Sequence, residues 1–174
     1  PGNDKPRMFR LEPEQAIINR MGFNNEGVDA MVRRVRRSRF DGVLGINIGK
    51  NKLTPSEDAL SDYVTCMRKV YRHASYITVN ISSPNTKDLR ALQFGQELAK
   101  LLEGVKACHA ELKTEHNRHV PLVVKIAPDM EEQEIRDVCR ELLKFELDGV
   151  IVSNTTVDRQ EIQQSRYYGE VGGL

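Results

Sequence analysis

Four apolar runs stand out along the chain: "GVLGINIG" at 42–49, "YITVNIS" at 76–82, "PLVVKIAP" at 121–128 and "DGVIVSNT" at 148–155. They are rich in Val and Ile and nearly continuous rather than alternating. That pattern belongs to strands covered on both faces, as in parallel sheets. Between them the apolar positions change to a helical period. Val28, Met31, Val32 and Val35 share one face within 25–39, and Leu60, Tyr63, Val64, Met67, Val70 and Tyr71 share one within 56–74. Phe94, Leu98, Leu101, Leu102, Val105, Cys108 and Leu112 mark a long third helix. Ile135, Val138, Cys139 and Leu142 mark a fourth.

Thr54-Pro55-Ser56-Glu57 and Asp129 to Glu132 read as capping boxes that open the second and fourth helices. Before the first helix, 7–11 and 16–21 flank the turn "EPEQ" and predict a small antiparallel hairpin outside the main sheet. The order is then helix, strand, helix, strand, through four strands. Such alternation implies an α/β fold with a parallel sheet and helices outside. An eight-stranded barrel and an open doubly wound sheet both satisfy it. A whole barrel takes about 250 residues, so 174 residues, read as a single domain over 1–174, would hold part of one. The Pro-Gly start and the loop-like end "YYGEVGGL" predict a piece of a longer protein.

Composition narrows the partners. Apolar residues make up 39% and charged residues 29%, which fits a soluble globular chain. A net charge of +1 gives no global reason to expect nucleic acid or an anionic membrane. No apolar run approaches the roughly 20 residues of a membrane span, and no signal peptide pattern is present. Cys66, Cys108 and Cys139 are widely spaced in helical segments. They read as reduced core thiols, not a disulfide frame or metal site. Arg33, Arg34, Arg36, Arg37 and Arg39 read as a solvated helix face.

In parallel α/β folds chemistry gathers at the C-terminal strand ends. Here those ends are Asn47 to Asn51, Asn80 to Thr86 ("NISSPNT"), Lys125 to Asp129, and Ser153 to Thr156. Any one alone is a turn signal. Together they are harder to dismiss, because Asn47, Asn80 and Lys125 lie inside apolar runs. A buried amide or ammonium needs partners, and a ligand would supply them. His73, His109, His116 and His119 fall elsewhere and read as surface or helix-end histidines. No His/Cys/carboxylate cluster points to a metal, and Asp129 reads as a helix cap. What remains is amides, hydroxyls and one lysine. Amides both donate and accept, which suits a planar ring with alternating carbonyl and N–H groups, such as a pyrimidine or flavin. Lys125 then faces a ring that becomes anionic, or binds phosphate, or merely snorkels to the rim.

Five motifs occur in order: "INRMGFNN", "GINIGKN", "NISSPNT", "VKIAPD" and "SNTT". Through them the chain resembles the dihydroorotate dehydrogenases, flavin enzymes of pyrimidine biosynthesis, over essentially its whole length. The resemblance implies the central part of a (β/α)8 TIM barrel, lacking the family's first strands and last two strands, with FMN at the C-terminal rim. It implies oxidation of (S)-dihydroorotate to orotate, with a proton passing to an enzyme base. The family's cytosolic class carries a cysteine base in N-x-S-C-P-N. Here that position is Ser83, which resembles the membrane-associated, quinone-reducing class 2 in its bacterial form. Implied substrate contacts are Asn19, Arg20, Met21, Gly22, Phe23, Asn80, Asn85, Asn154 and Thr155. Implied FMN contacts are Asn47, Asn80, Lys125 and Ser153. Thr86 and Phe23 would position and dehydrate the serine. Quinone and membrane contacts are implied for an N-terminal region outside this chain. That region would hold the full-length protein peripherally on the cytoplasmic side of the inner membrane. Two other readings stand beside this one: a Schiff-base lyase or aldolase with Lys125 as nucleophile, and a fragment that keeps the fold but binds nothing.

Overall fold

A computed structural model describes residues 2–86 and 89–174. The predicted alternation is present. Strand β3 (Gly45–Gly49), β4 (Tyr76–Asn80), β5 (Leu122–Ile126) and β6 (Gly149–Val152) form a parallel sheet in the order β3-β4-β5-β6. Helix α1 (Val28–Arg37) precedes β3, and α2 (Ala59–Val70), α3 (Gly95–Glu115) and α4 (Glu132–Lys144) cross between successive strands. The hairpin is also present, with β1 (Met8–Leu11) paired antiparallel to β2 (Ala16–Asn19).

The register sorts the strand residues into two faces. Ile46 and Ile48, Ile77 and Val79, and Leu122, Val124 and Ile126 belong to the main core. Tyr63, Met67, Leu98, Leu102 and Val105 from α2 and α3 pack in the same core. Each such side chain, fully buried, contributes about 1.5–3 kcal/mol by leaving water. Because side chains alternate along a strand, the residues between them face the other way. Across the sheet these form two rows: Asn47, Thr78, Val123 and Gly149, then Gly49, Asn80, Lys125 and Ile151. The candidate polar residues thus fall on the face turned from the helices.

Helix packing depends on one close approach. A β-carbon at Gly104 in α3 would lie 2.3 Å from a Leu60 methyl, so a side chain there would force the end of Leu60 to move. A second, smaller core lies under the hairpin, where Phe9, Leu11 and Ile18 meet Ile162, with Tyr167 and Leu174 alongside.

Several local expectations are corrected. Thr54 does not cap α2. A 3-10 turn at Ser56–Asp58 intervenes, and neither it nor α2 has a side-chain cap bond. Asp129 does not cap α4, which starts from a capping box formed by Glu131 and Glu134 two residues later. His109 is neither a surface nor a helix-end histidine but is buried within α3 against Tyr71. Of the three free thiols only Cys108 is buried, and Cys139 is exposed. The fourth helix turns Val138 and Leu142 inward and leaves Cys139 to solvent. The arginines of α1 are exposed, as expected.

Candidate active site

The strand ends, the hairpin and the last residues of the chain converge. β4 delivers Asn80 at its last position, 2% exposed, and the chain then turns through Ser82 and Ser83. Tyr63 of α2 donates its hydroxyl to the Asn80 carbonyl at 2.8 Å from within the core. Burial drives the Tyr63 phenol far above its ordinary value, so it stays a donor.

Ser82 is the hub of the amides. Its backbone N–H and its hydroxyl both donate to Asn80 Oδ1, at 3.0 and 2.7 Å. Its oxygen accepts from Asn154 Nδ2 at 2.9 Å. A backbone N–H can only donate, so the Asn80 carbonyl oxygen must face Ser82 and the amide NH2 must face away. That NH2 has no partner among the described residues. Asn154 is fixed from its other end by the N–H and hydroxyl of Thr155, at 2.8 and 3.2 Å to Oδ1. Its own N–H donates to the Ile126 carbonyl at 2.9 Å. The adjoining Ser153 hydroxyl donates to the Asn154 carbonyl at 2.9 Å.

Ser83 is 6% exposed, and its Oγ accepts the Asn85 N–H at 3.2 Å. A donor aimed at a hydroxyl oxygen favours its deprotonated form. The Asn85 side chain donates to the Asn19 carbonyl at 3.2 Å, tying the serine loop to the hairpin. Asn3, a residue without sequence signal, donates to the Arg20 carbonyl at 3.0 Å. Thr86 lies buried at the end of the same turn.

The hairpin end closes over the strands. Gly22 and Phe23 both take positive φ, 66° and 53°. The Phe23 ring lies over Gly49, where a β-carbon would meet ring carbons at 3.8 Å and the Asn80 carbonyl at 3.6 Å. Asn19 and Gly173 exchange backbone hydrogen bonds of 2.8 and 2.7 Å, and the Asn19 side chain accepts the Met21 N–H at 3.5 Å. A β-carbon at Gly173 would lie 1.9 Å from the Thr155 hydroxyl, so this contact admits only glycine. The Arg20 guanidinium lies over Phe9 and bonds Glu170 at 2.7 Å and the Val171 carbonyl at 3.1 Å. In this arrangement its side chain joins hairpin to chain end.

Asn47 and Lys125 are different. Neither side chain has a hydrogen bond or ion pair among the described residues. Lys125 is half-buried beside Asn80 in register, and Asn47 is exposed one strand further. An ammonium without a carboxylate, beside amides with free donors, fits a planar group that carries or gains negative charge. No group of three or more His, Cys, Asp or Glu able to hold a metal occurs among the described residues.

Three further residues brace the loops around the site in roles the sequence did not assign. Lys50 is 3% exposed and donates to the Asn51 and Thr54 carbonyls at 3.2 and 2.6 Å, shaping the turn after β3. Arg90 and Asp129 join the loops after β4, β5 and β6. The partners of Arg90 lie 8 to 65 residues away from it in the chain, so no local pattern announces these contacts.

Fold and site together define a segment of a parallel (β/α) barrel with an amide-rich anion-tolerant face at its strand ends. A family model described as dihydroorotate dehydrogenase matches residues 1–174, and the chain belongs to that family. It is 57% identical over 173 residues to dihydroorotate dehydrogenase (quinone) of Pseudoalteromonas atlantica, covering 99% of this chain and 52% of that protein. It is 56% identical over 174 residues to the protein of the same name from Neisseria meningitidis serogroup B, covering 100% and 52%. A crystal structure of Eimeria tenella DHODH with ferulenol aligns with a TM-score of 0.89 at 38% identity, over 99% of this chain and 51% of that one. The ligand-free form of that protein aligns at 0.88. The chain spans about half the length of the curated relatives it matches. Among the described residues no helix is long and apolar enough to cross a membrane.

Proposed function

We propose that the protein containing this chain oxidises (S)-dihydroorotate to orotate, with FMN as cofactor and quinone as final electron acceptor. The observation that carries the reading is the serine between two amides. Ser83 Oγ receives the Asn85 N–H, and the Asn80 NH2 is turned outward by Ser82. FMN, when bound, supplies a two-electron acceptor for hydride. Asn47, Asn80, Lys125 and Ser153 would hold it, with Lys125 placing positive charge where negative charge accumulates.

Asn80, Asn85, Asn154 and Thr155 would bind the carbonyl and N–H groups of the pyrimidine ring. The hairpin end, Asn19 to Phe23, would cover it and exclude water. Ser83 takes the proton from the substrate carbon. A serine alkoxide is too basic to exist free at neutral pH, so the Ser83 proton must leave as the new one arrives. Among the described residues no histidine or carboxylate bonds Ser83, which leaves water or a neighbouring hydroxyl as the acceptor. Quinone reduction, and peripheral attachment to the cytoplasmic side of the inner membrane, fall in this reading to the rest of the full-length protein.

The lyase reading has no support from family membership, and Lys125 has no acid or base bonded to it among the described residues to assist imine formation. The test is the visible spectrum of the full-length protein with FMN, without oxygen, before and after dihydroorotate. Bleaching of bound flavin is expected. Bound flavin that keeps its absorbance would overturn the substrate assignment.

A further inference from the structure

Arg90 occupies an unusual place in the network. It lies in the 3-10 segment Leu89–Gln93, just beyond the serine loop. Nε donates to the Ser82 carbonyl at 3.1 Å, Nη2 to the Thr155 carbonyl at 2.9 Å, and Nη1 to Asp129 Oδ2 at 2.6 Å. All three nitrogens of the guanidinium are used, each toward a different loop. Asp129 in turn accepts from the Thr156 hydroxyl and the Val157 N–H, beyond the Thr155 peptide. The two charged side chains are only 22% and 23% exposed. Burial alone would raise the Asp129 carboxyl. The bonds from Thr156 and Arg90, with the Val157 amide, outweigh it and hold the group below its usual range.

The Ser82 carbonyl belongs to the same planar peptide as the Ser83 N–H. Fixing that oxygen fixes the plane from which the Ser83 side chain projects. The Thr155 carbonyl fixes the peptide after the residue that locks Asn154. One rigid fork therefore sets the serine and the substrate-facing amide against each other. A lysine could keep the charge opposite Asp129 but not reach three acceptors in one plane.

We propose that Arg90 is a positioning residue that sets Ser83 and Asn154 in register for proton removal. This rests on the function proposed above. Misplacing reacting groups by about 1 Å costs on the order of 100-fold in rate. In the full-length flavoprotein, Arg90→Lys is expected to slow anaerobic flavin reduction at saturating dihydroorotate about 10–100-fold. Flavin content and flavin spectrum should stay unchanged. Asp129→Asn leaves the two carbonyl bonds in place and is expected to keep a rate within a few fold of the unaltered protein.

A normal rate in Arg90→Lys overturns the proposal. So does loss of flavin or of folding in that variant, which would make Arg90 general scaffold. Asp129→Asn slowed as much as Arg90→Lys overturns it as well, since the ion pair and not the fork would then be what matters. If dihydroorotate fails to bleach the unaltered protein, it is the underlying function that falls, a result separable from the behaviour of either variant.

Discussion

Ser82 offers the sharpest test of the site's architecture, because its neighbour Ser83 draws the chemical role. Ser82 is fully buried, and its hydroxyl bridges Asn154 Nδ2 and Asn80 Oδ1 at 2.9 and 2.7 Å. In Ser82→Ala the Asn80 oxygen keeps the backbone N–H of residue 82 at 3.0 Å. The Asn154 donor is left without a partner. An unsatisfied donor costs about 1–3 kcal/mol when fully buried, and Asn154 is half-buried, so the cost here lies at the lower end, about 1 kcal/mol. The full-length protein is about twice the length of this chain, so each kcal/mol is worth roughly 1–2 °C, which predicts a melting temperature lower by about 1–2 °C. Both amides also gain rotational freedom, so orotate should bind about tenfold more weakly, or about 1.4 kcal/mol. The assays are a thermal melt and an orotate titration of the bound flavin in the full-length protein. A melting temperature that does not fall, together with unchanged orotate affinity, would refute the bridging role.

Ser83→Ala should slow flavin reduction by dihydroorotate at least about 100-fold and leave the flavin bound, as removal of a general base requires; stopped-flow absorbance checks it, and a normal rate would exclude Ser83 as the base. Stability should also fall in mild acid. Burial above all, with His119 and Lys106, pushes the His109 imidazole below its ordinary value, against the opposing pull of the Val120 carbonyl and Asp148. The folded state therefore prefers neutral His109. Its contribution is present above the unfolded value near 6.5 and is lost as pH falls through and below it. Since Nε2 meets the Val120 carbonyl at 2.7 Å, it must carry the proton, and Gln can replace that donor. His109→Gln should flatten the decline between pH 7 and 5 in urea titrations. An equally steep decline would place its origin elsewhere, though not in Asp129 or Asp148, whose lowered carboxyls act only below about 3.8.

The elements and their order are legible in local patterning alone. The Val- and Ile-rich runs and the 3.6-residue stripes are local consequences of which faces must leave water, and they placed β3 to β6 and α1 to α4 within a few residues. The same patterning also placed Asn47, Asn80, Lys125 and the serine loop at one end of the sheet, because parallel crossovers put every strand's C-terminus on the same side. What those residues touch follows from how the segments pack. Ser82 has no assigned role in the sequence beside Ser83, since only the fold brings Asn154 across 72 positions to its hydroxyl. Asp129 looked like a cap because cap signals are local, yet Arg90 and Thr156 offer it stronger donors from other loops. His109 lies on the face of α3 that happens to meet Tyr71, and periodicity could not tell a buried ring with one good acceptor from a helix-end histidine. Backbone propensity and hydrophobic period act within a few residues and can be read from the chain. Hydrogen-bond partners and burial of polar groups depend on distances between segments, and those exist only once the sheet has closed over its loops.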